Sequence, residues 1–214
     1  MEGKKLLTEK NIVIFYIIMF SVGVAGHLIA PLQGLIIPLT PFTLLLLGGI
    51  TVLISQAVNE KKFLVWFVLT YAATFLIEAA GVKTGMIFGS YQYGDTLGLK
   101  VLDVPLIIGF NWVIVILGAV IFAEKFSGNI FVISLLAAVF AVLFDVILEP
   151  VAIQLNYWRW EGDVIPLQNY FAWFVISFSA ALFYKFMKIE FRSLSPVHYL
   201  IAQAVFFIIL LAFI

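Results

Sequence analysis

Apolar residues in this 214-residue chain gather into seven runs, near 11–30, 39–58, 63–80, 104–123, 130–149, 169–187 and 197–214, separated by short polar stretches. An α-helix needs roughly 17–25 apolar residues to cross the hydrocarbon core of a bilayer, and each run is about that long. The pattern predicts an all-α, polytopic membrane bundle of seven transmembrane helices, a single integral-membrane domain over residues 1–214. No small-residue cleavage site follows the first run, so a retained helix is expected there rather than a signal peptide. The two long linkers, 81–103 and 150–168, are expected to carry specificity.

Polar positions give the bundle a direction. With seven spans, Lys4, Lys5, Lys10, Lys61, Lys62, Lys125, Lys185, Lys188 and Arg192 fall on one side, while Lys83, Lys100 and Arg159 fall on the other. Cytoplasmic loops carry the excess of Lys and Arg. The amino terminus is therefore expected in the cytoplasm of a multi-pass cell-membrane protein. Both long linkers, and the helix ends bearing Glu78, Asp145 and Glu149, then converge on the non-cytoplasmic face.

Composition narrows the chemistry. The chain is 64% hydrophobic with a mean hydropathy of +1.16, which excludes a soluble domain. Its 12 basic and 12 acidic residues form no basic cluster, so no nucleic-acid partner is expected. The lack of cysteine excludes disulfides, thiol catalysis and thiolate metal sites. His27 and His198 fall at opposite ends of the predicted bundle, and no metal site is expected. His27 reads as an interfacial histidine bonded to a nearby carbonyl in preference to a proton carrier. The last run has no lysine, which excludes a retinal Schiff base. Gly85, Gly89, Gly94 and Gly98 suit a tight hairpin or re-entrant turn and match no phosphate-binding fingerprint.

The candidate chemistry lies in Asp145–Trp173. Asp145 and Glu149 sit one helical turn apart and share a face, and an Asp at the centre of a span costs roughly 2.5–3.5 kcal/mol on insertion scales. Glu149-Pro150 is expected to end the fifth helix. Trp158, Arg159, Trp160, Glu161 and Asp163 then form a short loop before Pro166 and Asn169 open the sixth. Asp103, Glu161 and Asp163 read as solvated charges or partners of Arg159. Glu78 ends a face begun by Tyr71 and Thr74. Ser134, Ala138 and Ala141 make a strip of small residues leading to Asp145, expected to serve close helix packing in preference to a ligand groove. Asn169, Trp173, Ser177 and Ala180 line one face of the sixth helix as an opposite wall.

Glu78–Gly81, Thr84-Gly85, Phe88-Gly89, Tyr91, Tyr93, Leu97-Gly98, Val104-Pro105 and Trp112 form one block of matching residues. Asp145, Glu149-Pro150, Trp158, Trp160, Pro166, Asn169 and Trp173 form a second. In these two blocks the chain resembles the CruF-type carotenoid biosynthesis proteins, membrane-bound carotenoid 1,2-hydratases. Asn156 and Ala172 depart from that pattern, standing where the family usually has glycine. The resemblance implies addition of water across the terminal double bond of an acyclic carotenoid end group, giving a tertiary alcohol, with no cofactor. It also implies a polyene substrate, with membrane lipid and other carotenoid-pathway enzymes as further partners. Asp145, Glu149 and Glu78 are then the candidate acid–base groups, the first two sharing one proton. Tyr91, Tyr93, Trp112, Trp158, Trp160, Asn169 and Trp173 are the candidate substrate-binding residues, their aromatic faces suited to a carbocation.

Three other readings use the same residues. An end-group cyclase or isomerase would pass through the same cation and lose a proton instead of capturing water. A magnesium–diphosphate prenyltransferase would need a second acidic motif besides Asp145-x-x-x-Glu149. A proton-coupled transporter would use the carboxyls as a relay, with only Gln56, Asn59, Ser134 and Ser177 as further polar steps.

Overall fold

The computed structural model describes residues 8–55 and 57–213; Lys4, Lys5 and Gln56 lie outside the described residues. The chain is an all-α bundle: α1 (Glu9–Leu28), α2 (Ala30–Ile36), a 3₁₀ turn (Ile37–Leu39), α3 (Thr40–Ile54), α4 (Glu60–Thr84), α5 (Leu106–Ala123), α6 (Ile130–Gln154), α7 (Leu167–Phe186) and α8 (Ser195–Phe213). Among the described residues six stretches are long and apolar enough to cross a membrane, with Ala30–Ile54 counted as one. This is a membrane protein. The sixth predicted span, α7, has the right length at 20 residues but is interrupted by Gln168, Asn169, Ser177, Ser179 and Lys185.

Local chemistry explains where the helices begin and end. The second predicted span starts nine residues early and in three pieces. Pro31, Pro38 and Pro41 each stand in the first turn of a piece, where proline's missing N–H costs nothing. Asn59 caps α4 by accepting from the Lys62 N–H at 3.1 Å, and Asn129 caps α6 by accepting from the Phe131 and Val132 N–H groups. Gly85, at φ +66°, closes α4 in a left-handed conformation.

One boundary differs in a way that matters. Pro150 does not end α6, which continues through it to Gln154. Proline removes one backbone donor, but Val151 and Ala152 beyond it are fully buried, and that packing holds the last turn in helical form. The extra turn delivers the chain to the aromatic segment that follows.

α5 is the axis of the bundle. It is apolar all round except at Asn111, nearly every residue is buried, and it packs against α3, α4, α6, α7 and α8. A Cβ on Gly118 would lie 2.6 Å from the Pro196 carbonyl oxygen, so glycine lets α8 approach. Ser134, Ala138 and Ala141 on α6 are buried, as close packing requires.

The two ends of the bundle differ. At one, Glu124 pairs with Lys185 at 2.6 Å, the Val58 N–H donates to Glu190, and Glu9 lies 3.3 Å from His198. At the other, the long linkers meet: β1 (Tyr91–Tyr93) pairs antiparallel with β4 (Trp158–Trp160). Nearby, β2 (Lys100–Val101) and β3 (Val104–Pro105) form a hairpin turning at Leu102 and Asp103, both at positive φ. The hairpin of this linker thus lies beyond the four glycines, at Leu102-Asp103, while the segment between them, Tyr91–Tyr93, pairs with β4 instead of with its own linker. Trp158–Trp160, expected in a loop, is a strand.

Candidate functional site

The β1–β4 ribbon is built by alternation. Tyr91 faces Trp160, Gln92 faces Arg159 and Tyr93 faces Trp158. Successive strand residues point to opposite faces, so Tyr91, Tyr93, Trp158 and Trp160 turn into the bundle while Gln92 and Arg159 turn out. The Tyr91 and Trp160 rings lie 4.7 Å apart and those of Tyr93 and Trp158 5.9 Å apart. A pattern of aromatic, polar, aromatic in both YQY and WRW was the sequence signal for this pairing.

Beneath this roof lies a chamber lined by Glu78 from α4, Asn111 and Trp112 from α5, Asp145 and Glu149 from α6, Asn169 and Trp173 from α7, and the four ribbon aromatics. All three acidic candidates are therefore brought together, and each is almost wholly buried, at 3%, 2% and 2% exposure for Glu78, Asp145 and Glu149. Buried carboxyls require hydrogen-bond partners, and each has them. The Tyr91 hydroxyl donates to Glu78 Oε2. Trp158 Nε1 and Trp160 Nε1 both donate to Glu149 Oε2 at 2.9 Å. Asn169 Nδ2 donates to Asp145 Oδ2 at 2.9 Å and to Glu149 Oε1 at 3.2 Å. Burial, followed by the neighbouring Glu78, pushes the Tyr91 and Tyr93 phenols well above their ordinary range. Both stay neutral hydroxyls.

The far wall is aromatic. Trp112 and Trp173 stack with ring centroids 3.4 Å apart, and Phe88 stacks on the other side of Trp173 at 5.4 Å. Phe88 is fully buried and was not singled out for the site; its only sequence signal was its place beside Gly89. Its ring occupies the space a Cβ on Gly81 would need, at 2.4 Å. Asn111 and Gln203 also line the chamber, with Gln203 Nε2 donating to Asn111 Oδ1 at 2.9 Å. The free volume is about 40 Å³, room for water-sized occupants. A larger ligand must displace side chains.

Other candidates lie elsewhere. His27 is buried, its Nδ1–H donates to the Gly23 carbonyl at 2.7 Å, and it does not line this chamber. His198 is at the opposite end of the bundle. Asp103, Glu161 and Asp163 are exposed, and no ion pair joins them to Arg159.

A family model described as carotenoid biosynthesis protein matches residues 39–214. Bisanhydrobacterioruberin hydratase from Haloarcula japonica is 32% identical over 120 residues, covering 51% of this chain and 40% of that protein. The match thus spans less than half of the relative's length. No solved structure matches the chain.

Proposed function

Because the chain belongs to the carotenoid biosynthesis protein family, we propose that it adds water to the terminal carbon–carbon double bond of an acyclic carotenoid end group. The observation that carries this reading is the meeting of three buried carboxyls with a continuous set of aromatic faces in one water-sized chamber. The partial similarity to a protein named as a carotenoid hydratase supports it. An alkene is a very weak base, so its protonation calls for a carboxylic acid placed out of bulk water, and the tertiary cation that results calls for nearby π-faces and negative charge. Cation–π contacts contribute about 2 kcal/mol or more when desolvated. Trp158, Trp160, Tyr91 and Tyr93 line the chamber with such rings, and Trp112 adds the face it does not stack on Trp173. Water then forms the C–O bond and a carboxylate accepts its surplus proton. On this reading the chamber faces the non-cytoplasmic side of the cell membrane, as the distribution of Lys and Arg implies.

The test is pigment mass spectrometry in a bacterial host that accumulates acyclic carotenoids, with and without the protein. A product heavier by one water is expected; an isomer of unchanged mass would replace hydration by cyclisation. Asp145→Asn and Glu149→Gln should each lower turnover by at least about 10²-fold, the usual contribution of a positioned acid or base or of a preorganised charge beside a transition state, while the protein still accumulates in the membrane. Full activity in both variants would refute the carboxyl mechanism.

A further inference from the structure

The carboxyls are not held alike, and the difference divides the chemistry between them. Glu149 accepts three N–H donors: the two indoles at Oε2 and the Asn169 amide at Oε1. An indole N–H or amide N–H only donates. Three of the four lone-pair positions of Glu149 thus accept N–H donors, and a proton on its one remaining position would weaken all three bonds, which an ionised carboxylate accepts more strongly. Asp145 receives one donor, Asn169 Nδ2 at Oδ2. Its Oδ1 takes no hydrogen bond from any described residue, and Asp145 lines the chamber.

We propose that Asp145 is the proton donor of this site and Glu149 its standing anion, with Trp158 and Trp160 as the positioning residues that enforce the division. The proposal rests on the hydration reading and assigns roles within it. The alkene π pair takes the proton from Asp145 Oδ1, forming a C–H bond and leaving a tertiary cation and an Asp145 carboxylate. A water lone pair forms the C–O bond, and the oxonium returns one proton to Asp145. One water is consumed, Asp145 is restored and Glu149 is unchanged. The carbocation lies between two anions only for its lifetime, while the indole N–H groups keep Glu149 from quenching the acid. The same two tryptophans thus act twice, their N–H edges fixing the counter-ion and their ring faces lining the chamber.

Infrared spectroscopy of the purified protein tests this directly, because a protonated carboxylic acid has its own carbonyl stretch, which shifts in D2O. Wild-type protein should show a protonated-acid component that is lost in Asp145→Asn and kept in Glu149→Gln. The double variant Trp158→Phe/Trp160→Phe keeps an aromatic ring at both positions but removes both N–H donors. It should gain a second protonated-acid component that disappears when Glu149→Gln is added, and its turnover should fall about ten- to hundredfold with little change in KM. A merely structural role for the indoles would not create that component. Loss of the wild-type component in Glu149→Gln with retention in Asp145→Asn would reverse the assignment and overturn the proposal. Its retention in both variants would place the proton elsewhere and overturn it equally. Failure of the wild type to form a water adduct, with the bands distributed as expected, would sink the hydration reading alone and leave the protonation assignment standing.

Discussion

Asn156 sits between the end of α6 and the start of β4 at φ +55°. Left-handed backbone favours glycine, and asparagine tolerates it better than most side chains, which accounts for an asparagine where the resembling family usually has glycine. Its carbonyl oxygen lies against Gly94, where a Cβ would come within 2.0 Å of it. At the adjoining position the Gly94 N–H donates to the Tyr157 carbonyl at 2.9 Å. Gly94→Ala must therefore push the two linkers apart. It should destabilise the protein by about 1–3 kcal/mol, as overpacking usually does, and lower turnover further than the same change at Gly128, which has nothing within 4 Å of its Cβ position. Thermal unfolding of the two variants in detergent checks this. Tyr91→Phe keeps the ring but removes the hydroxyl that donates to Glu78. A hydrogen bond to a charged or polar buried group contributes about 1.5–3 kcal/mol, so an effect of roughly tenfold or more on turnover is expected in pigment conversion assays.

Among the elements, the β1–β4 ribbon does most to assemble the chamber. Glu161 N–H donates to Ser90 and Gly94 N–H donates to Tyr157, and hydrogen-bonded pairs alternate along an antiparallel ladder. The outward-facing pair between them, Gln92 and Arg159, is thus a hydrogen-bonded pair. Gln92→Pro removes a ladder donor without touching a chamber side chain. Conversion should fall about tenfold or more in Gln92→Pro and stay within about twofold in Gln92→Ala, the difference reporting the cost of one backbone hydrogen bond and its neighbours. Equal activity in the two variants would mean that the ribbon does not position the aromatics. α6 contributes in another way. By continuing past Pro150 it carries Glu149 away from the helix end and into the interior, where the ribbon tryptophans reach down to it.

At the scale of the molecule, six strongly apolar stretches and α7 alternate so that both long linkers lie at one end. The lack of native cysteine makes sidedness easy to read with single introduced cysteines. Leu102→Cys and Val164→Cys, at exposed linker positions, should react with a membrane-impermeant maleimide from outside intact cells. Lys125→Cys, at the turn between α5 and α6, should react only after permeabilisation. Labelling of Leu102→Cys and Val164→Cys from opposite sides would be incompatible with the ribbon that joins their linkers.

What the sequence determined by itself was whatever depends on local pattern. Apolar runs long enough to bridge a bilayer specify helices, because in lipid each backbone polar group must be satisfied within its own segment. Asp145 and Glu149 share a face because helical geometry places residues four apart on one side. Glu78, the tryptophans and the tyrosines could be singled out because such groups are costly or unusual in an apolar chain. Only the tertiary structure decided how these groups are used. Tyr91 and Trp160 are 69 residues apart in the sequence yet pair across two linkers, and Asn169 gives one amide to carboxyls on a different helix. Proline at 150 signalled a helix end because local propensity counts only the lost N–H, whereas burial of Val151 and Ala152 holds the helix together beyond it. Phe88 reached the ring of Trp173 and Gln203 the chamber through packing between distant segments, and no short-range pattern encodes that. Period, length and charge are properties of neighbours along the chain, while a chamber is a property of neighbours in space.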